Sequence, residues 1–450
     1  MRPSTSFKRV CYGLSCALLA VGLILIRPVY AADTSQQPDI QSLRTQIQQL
    51  RERVRALEGR LREVNALQER IRKLESELAQ QRAKQGGDQI AAKEAASEPE
   101  AKGKPQGVKF GGALRFNYSW KDFSEGAKTR RGDAGLDIFR INADGKIDDI
   151  LVSAEYRFYP YMSAIHHGWI GYDFGGGNQI QGGITKVPFG LLPYASHNYW
   201  FGIPFYIGLA DNYDTGLKYV HDRGPWNAQL AFFKNGELGD AANLERYSYD
   251  PVAVGAARNE KTNTLSARLA YTFGKGTQCH HELGASGQWG ELYNRDTNDT
   301  GHDWAAAGHL DSRCGRWNFQ LELGRYEYHP RNPAGVPDDT VTLGAYLGSF
   351  PIAARAKFAV ANVAYVVPVN WPHVKQITCY NDFSMLDKDQ AGASKSYLNT
   401  TGCGVGIGPT FTYIDIIRGR NMIYFGNGSL AGGGSNDWNT RVNINIGYYW

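Results

Sequence analysis

The segment 440–450, TRVNINIGYYW, constrains what this chain can fold into more than any other stretch. Polar and apolar residues alternate along it, and a strand sends successive side chains to opposite faces. Arg441, Asn443 and Asn445 therefore face one way, and Val442, Ile444, Ile446, Tyr448 and Trp450 the other. A sheet that stops on such a strand leaves a row of unpaired backbone groups, and the surest cover is the first strand of the same sheet. That closes a barrel. Bulky apolar side chains outside and polar ones inside are the pattern of a barrel set in lipid.

Composition agrees with this. The 52 Gly, with 26 Tyr, 19 Phe and 10 Trp, suit tight turns and exposed aromatic girdles. A mean hydropathy of −0.42 argues against a bundle of membrane-crossing helices. Lipid-facing strands escape such averages because every second residue is polar. A net charge of +5 on 450 residues gives no reason to expect a nucleic-acid partner.

Residues 1–31 read as a secretory signal peptide. They carry a basic end at Arg2, Lys8 and Arg9, an apolar core from Leu14 to Ile26, and a small-x-small site at Val29-Tyr30-Ala31. The core is shorter than the ~20 residues that cross a bilayer. Residues 32–82 hold a periplasmic coiled coil. Ile40, Leu43, Ile47, Leu50, Val54, Leu57, Leu61 and Val64 fill a and d positions, and Leu67, Ile71, Leu74 and Leu78 resume the pattern after a three-residue slip. Such a narrow apolar seam has no core of its own, so the helix is expected to self-associate. β-Branched residues at a with Leu at d lean towards a dimer. Residues 83–107, rich in Ala, Gly, Lys, Glu and Pro, form a flexible linker that would space the stalk from the barrel, towards peptidoglycan.

From 108 to 450 the alternation keeps returning, for example at Leu114, Phe116, Tyr118 and Trp120, and at Leu265, Ala267, Leu269, Tyr271 and Phe273. Short turns are expected at 148–149, 175–177, 223–225 and 274–276, and longer loops near 121–134, 186–212, 236–262, 294–302 and 329–338. At about 10 residues per crossing plus a connection of similar length, this makes about sixteen strands, or eighteen at a stretch. The fold expected is an all-β transmembrane antiparallel barrel preceded by a coiled coil. A barrel of that size encloses an aqueous channel.

Cys11 and Cys16 fall in the leader, which leaves four cysteines. Cys379 and Cys403 could bridge within one hairpin, and Cys279 and Cys314 each lie near a short turn; two disulfides suit an oxidising compartment, although four cysteines allow three pairings. Their spacing is not that of a metal site. His166 with His167, and His280 with His281, are neighbours that a regular strand sends to opposite faces, so neither pair is expected to chelate an ion. There is no G-x-S-x-G elbow, H-E-x-x-H or P-loop. Neither an enzyme nor a cofactor is expected.

Two features bear on what the barrel would pass. The segment 182–212 has three prolines and seven Phe, Tyr or Trp residues and no period that suits a helix or a strand. Folded inward it would form a constriction through Lys186, Pro188, Phe189, Tyr194, Tyr199, Trp200, Phe205 and Tyr206; packed over the mouth it would be a lid. The second feature is the inward parity of Arg115, Arg140, Lys146, Arg157, Lys218, Arg268, Arg355, Lys357 and Arg441, against Asp144, Glu155 and Glu322. An excess of cations on a low-dielectric wall attracts anions, although a single bulge reverses parity along a strand.

The run Lys186-Val187-Pro188-Phe189-Gly190 after a Gly-rich strand, the basic coiled-coil stalk and the closing aromatic strand resemble the phosphate-selective porins O and P, a family of Gram-negative outer-membrane porins. The likeness is loose over 108–450 and sharpest over 182–192. It implies a homotrimeric, 16-stranded channel in the outer membrane among lipid and lipopolysaccharide, with its third loop turned inward and cations lining it. The chain departs from that pattern, because Lys186 is the only lysine or arginine between Thr185 and Asp211. Two rival readings stand beside it. One is a sugar-specific porin that guides its substrate along Tyr194, Tyr199, Trp200, Phe201, Phe205 and Tyr206. The other is an envelope tether in which the barrel only anchors the coiled coil.

Overall fold

The computed structural model describes residues 107–450, and Gln48, which is helical. The expected signal peptide, the coiled coil apart from Gln48 and the linker apart from Gly107 lie outside the described residues. The strands are β1 (Gly107–Lys121), β2 (Asp133–Ile147), β3 (Ile150–Phe158), β4 (Ser163–Gly175), β5 (Asn178–Lys186), β6 (Tyr213–Arg223) and β7 (Trp226–Asn235). A two-residue strand, β8 (Asp250–Pro251), precedes β9 (Asn259–Phe273), β10 (Cys279–Asn294), β11 (Thr300–Cys314) and β12 (Trp317–His329). The hairpin β13 (Thr340–Ala345) and β14 (Gly348–Ala353) is followed by β15 (Arg355–Val367), β16 (Val374–Lys388), β17 (Ser396–Ile407), β18 (Thr410–Arg420) and β19 (Trp438–Tyr449).

All but β8, β13 and β14 close into one antiparallel barrel of sixteen strands, in which β1 pairs with both β2 and β19. The seam runs in register from Ala113 opposite Tyr449 to Lys121 opposite Arg441. Closure leaves the barrel without an edge, as the alternation at 440–450 demands. The four turns read from the sequence all fall at one end. The opposite end carries the longer connections, among them L3 (187–212), L4 (236–258), L6 (330–354) and L8 (421–437).

The outer wall is apolar. Leu269, Leu283, Leu321, Leu323 and Ile416 are exposed at mid-strand, while Tyr172, Phe174, Trp226, Phe273, Trp317 and Tyr448 ring the turn end and Phe158, Phe232 and Trp438 the loop end. Amphipathic aromatics at both rims of an aliphatic band are what the two interfaces of a bilayer favour.

The loop end is packed from within. L3 carries a one-turn helix, α1 (Ile203–Tyr206), whose four residues are buried. Its Phe205 stacks on Phe201 at 4.5 Å and meets Tyr249 of L4 at 5.3 Å; Tyr249 reaches Tyr346 and Phe350 of L6, and Phe350 reaches Tyr424 of L8. β8 joins β13 and β14 in a three-stranded sheet, and Ile352 bridges to Leu430 of L8. Beneath this cap the inner wall is itself apolar, with Leu292, Tyr326, Ala356, Phe358, Leu386, Leu398 and Ile417 in the same buried cluster.

That inner apolar patch corrects one expectation. Arg355 and Lys357 face outward, paired in register with Glu327 and Arg325 on the face that also carries Leu323. Ala356 and Phe358 take the inward positions against the loops. Burying Phe358 there is worth roughly 1.5–3 kcal/mol, which fixes the strand's parity.

Both disulfides lie between neighbouring strands. Cys279 is bonded to Cys314 across β10 and β11, and Cys379 to Cys403 across β16 and β17.

Candidate functional site

L3 enters the barrel because polar groups of the inner wall hold its backbone along the way. The Pro188 carbonyl accepts from Ser266 Oγ at 3.3 Å, and the Gly190 carbonyl from Arg268 Nε at 2.8 Å. The Gly190 N–H donates to Ser286 Oγ at 2.9 Å, and the Leu191 N–H to Glu322 Oε2 at 3.2 Å. Gly190 has φ +61°, and a β-carbon there would strike the Glu322 carboxylate. Asn362 Nδ2 donates to the Ala195 carbonyl at 3.0 Å. Ser384 Oγ accepts from the Ile203 N–H at 3.0 Å, at the start of α1. On the opposite wall Tyr199 donates its hydroxyl to Asp137 at 2.7 Å. The loop thus crosses the lumen from β9 to β2.

His197 is its best-held residue. Its backbone N–H donates to Asp382 Oδ2 at 2.6 Å, and its ring nitrogens lie 2.7 Å from Asp382 Oδ1 and from Asn318 Oδ1. Burial pulls the imidazole pKa down, but the hydrogen bond and charge of Asp382, with Asn318, outweigh it and raise the pKa above its ordinary value.

The aromatic and basic residues singled out in L3 serve mainly as packing. Lys186 pairs with Asp211 at 2.9 Å and lies over the Tyr194 ring at 4.6 Å. Phe189, Phe205 and Tyr206 are buried, and Tyr206 donates its hydroxyl to the Trp200 carbonyl at 2.8 Å. Trp200 lies under the guanidinium of Arg441, 4.1 Å from ring centre to Cζ.

Most inward cations meet carboxylates. Arg115 pairs with Asp137 at 2.9 Å, Arg140 with Glu155 at 3.4 Å, Arg157 with Glu155 at 2.5 Å, Lys146 with Asp173, and Arg268 with Glu282. Lys218 is buried and donates to the Lys186 carbonyl at 3.2 Å. Sequence parity had counted Asp144, Glu155 and Glu322 as the inward acids; Asp137, Asp173, Asp214, Glu282, Asp382 and Asp415 join them. Asp382 and Asp415 sit on β16 and β18, where YNDFSML and TYIDII alternate well enough to have revealed them.

His166 and His167 both point inward, with their Nδ1 atoms 2.8 Å apart. The register shift between Glu155 and Tyr156 marks the bulge that brings adjacent residues to one face, which corrects the expectation drawn from a regular strand. Among the described residues no group of three potential ligands gathers to hold a metal. Glu282, on the same face as His280, is engaged by Arg268 and His309.

With this geometry in hand, the comparison with known proteins concerns the fold. No protein-family profile matches the chain, and no curated protein does. Among solved structures, an anion-selective porin from Comamonas acidovorans aligns with a TM-score of 0.50 at 11% identity, over 76% of this chain and 99% of that one. OmpF of Salmonella typhi, solved with daunomycin, aligns with a TM-score of 0.50 at 10% identity, over 76% of this chain and 97% of that one. The barrel has the porin fold. At such identities the likeness extends to architecture and not to any residue's role.

Proposed function

We propose that this chain is an outer-membrane porin of a Gram-negative bacterium, a non-enzymatic, water-filled channel for passive diffusion of small hydrophilic solutes with a mild preference for anions. One observation carries the reading: a loop held by hydrogen bonds on opposite walls narrows a closed barrel that is apolar outside and charged within. Below L3, Asp144 stays exposed, hydrogen-bonded to Asn142 and Ser153 on a wetted wall. The anion preference is mild because the inward arginines and lysines are largely matched by carboxylates. Phosphate is one anion among several, since Lys186 is taken up by Asp211 and no ring of cations lines L3. The aromatic track of a sugar porin has less support, because Phe205 and Tyr206 are buried in the cap. A homotrimer, a periplasmic stalk near peptidoglycan and a surround of lipid and lipopolysaccharide complete the proposal; the exposed apolar band supports the lipid contact.

The test is single-channel recording in planar bilayers under a salt gradient. Discrete open steps with a small anion-directed reversal potential support the proposal. Absence of steps from folded protein overturns it in favour of a tether, and block by oligosaccharide but not by anions would favour the sugar porin.

A further inference from the structure

The outer wall is not uniformly apolar at its loop end. Read downward from the rim, the outward series on β12 is Glu327, Arg325, Leu323 and Leu321, and on β18 it is Arg420, Arg418, Ile416 and Ile414. Between them β15 contributes Arg355 and Lys357, and Lys395 stands just before β17. Register sets these strands side by side: Arg325 lies opposite Lys357, Lys357 opposite Asp387, and Arg420 opposite both Tyr397 and Trp438. One flank of the rim, from β12 to β18, is therefore basic, whereas the same end of the wall carries exposed Phe158 on β3 and Phe232 on β7.

Three carboxylates share this flank, and two of the cations take them up. Arg325 pairs with Glu327 at 2.8 Å and with Asp389 at 2.5 Å, and Lys395 with Asp387 at 2.8 Å. Arg355, Lys357, Arg418 and Arg420 have no carboxylate within ion-pair distance among the described residues. Arg355 and Lys357 are exposed. Arg418 and Arg420 lie over the rings of Trp438 and Tyr397, with Cζ 5.4 and 5.8 Å from the ring centres, and Arg420 also reaches Asn436 Oδ1 at 3.5 Å. A guanidinium laid on an aromatic face keeps N–H groups at its edge for an acceptor.

Like charges set opposite each other, as Arg325 and Lys357 are, repel, and a cation on a lipid-facing wall gains nothing from hydrocarbon. Unpaired charge of one sign directly above an aliphatic band is complementary to a molecule with anionic groups at its head and hydrocarbon beneath. Phosphate oxygens suit the guanidinium fork, and lysines and arginines beside a membrane are drawn to anionic lipid heads. A free phosphate ion would use the upper half of this pattern and leave the lower half without a role.

We propose that this flank is a docking surface for a phosphorylated, multiply acylated lipid of the outer leaflet, the chemistry of lipopolysaccharide. Arg355, Lys357, Arg418 and Arg420 meet its phosphates, and the band that begins at Leu323 and Ile416 meets its acyl chains. Arg325 and Lys395 take up the neighbouring acids, so the phosphates face cations alone. The proposal rests on the outer-membrane reading above and goes beyond it, because it gives the barrel one lipid-selective side instead of an even surround.

The test is titration of the full-length protein in detergent, read by tryptophan fluorescence. The probes are lipid A carrying both phosphates, the same lipid with its phosphates removed, and inorganic phosphate. The phosphorylated lipid is expected to bind about tenfold or more tightly than the dephosphorylated one, and inorganic phosphate at equal concentration is expected not to displace it. Replacing Arg355, Lys357, Arg418 and Arg420 together by Gln should weaken binding of the phosphorylated lipid by about tenfold or more and leave the dephosphorylated lipid unaffected. Lys128→Gln with Arg130→Gln, which removes two exposed cations between β1 and β2, should bind as wild type does. Circular dichroism establishes that each variant is a folded barrel; should the fourfold variant fail to refold, Arg355→Gln with Lys357→Gln, both exposed, carries the test with a smaller loss. Equal affinity for the two lipids, or equal affinity in wild type and the flank variants, overturns the surface. Displacement by inorganic phosphate overturns the lipid as its occupant. Channel recordings on the same wild-type preparation keep the two readings apart: steps without phosphate-dependent lipid binding leave the porin standing, and such binding without steps leaves this surface standing and overturns the channel.

Discussion

His197 Nδ1 lies 2.7 Å from Asp382 Oδ1, and the His197 backbone N–H lies 2.6 Å from the other oxygen of the same carboxylate. One side chain on β16 therefore holds both the ring and the main chain of a loop that has crossed from β5.

This contact makes the anchoring of L3 depend on pH. The imidazole pKa is raised in the folded protein, so the stabilisation is complete below its unfolded value near 6.5 and fades as pH rises through the raised value. Open-channel current noise should stay constant from pH 5 to 6.5 and grow at more alkaline pH. In Asp382→Asn the noise should be high throughout and the pH dependence gone. A flat wild-type profile from pH 5 to 9 would rule the anchor out.

Gly190→Val should dislodge the first half of L3. The backbone there has φ +61°, where a β-branched residue costs about 1–2 kcal/mol, and the new side chain meets Glu322. Larger single-channel conductance with an intact barrel spectrum is the expected outcome. Unchanged conductance would mean that L3 tolerates the substitution in place.

In L4, burial pushes the Glu237 carboxyl up to about 7, against the lowering effect of the N–H groups of Ser248 and Tyr247 that it accepts. Stability from its protonated form is present below the unfolded value near 4.5 and is lost as pH rises through about 7, on the order of 3 kcal/mol. Amide exchange at Tyr247 and Ser248, corrected for intrinsic base catalysis, should therefore accelerate between pH 5 and 8. Glu237→Gln should flatten that rise.

Arg355→Leu and Lys357→Leu should leave the reversal potential within error of wild type, because both side chains are outside the barrel. A shift of the size seen on removing an inward arginine would return them to the pore. Near the loop-end rim the effect on stability should be under about 1 kcal/mol, since charges there cost little.

The two disulfides close segments with sequence separations of 35 and 24, for which stabilisation of about 2–4 kcal/mol each is usual. Reduction should lower the thermal midpoint while the strands stay paired. Thiol labelling at Cys279, Cys314, Cys379 and Cys403 in the unfolded chain should be negligible until reductant is added.

Much of this was legible in the sequence, for identifiable reasons. Strict alternation at 440–450 and turns rich in Gly and Asp gave closure, sidedness and sixteen strands, because lipid outside and water inside impose one period on every strand. Parity then failed where the inside is not water. At Arg355 and Lys357 the inner positions belong to Ala356 and Phe358, packed on loops distant in sequence. His166 and His167 share a face through a bulge that has no local signature. The charge balance was misjudged for a related reason: a pair such as Lys146 and Asp173 meets across strands, and only register brings such partners together.

The β1–β19 seam also governs the timing of assembly. The Gly112 N–H donates to the Trp450 carbonyl at 3.2 Å, the Trp450 N–H donates back to the Gly112 carbonyl at 3.3 Å, and the Thr440 N–H reaches Asp122 across 318 positions of sequence. Hairpins along the wall can form as neighbours emerge, but the first strand has no second partner until the last has been made. Loop-closure entropy makes such a distant pairing slow. Until then β1 and β19 are open edges able to recruit strands from other molecules. The nascent chain must consequently be guarded by whatever escorts it until the whole wall is available, and a defect in β19 should be felt first as failed assembly and aggregation, before any change in conduction could be measured.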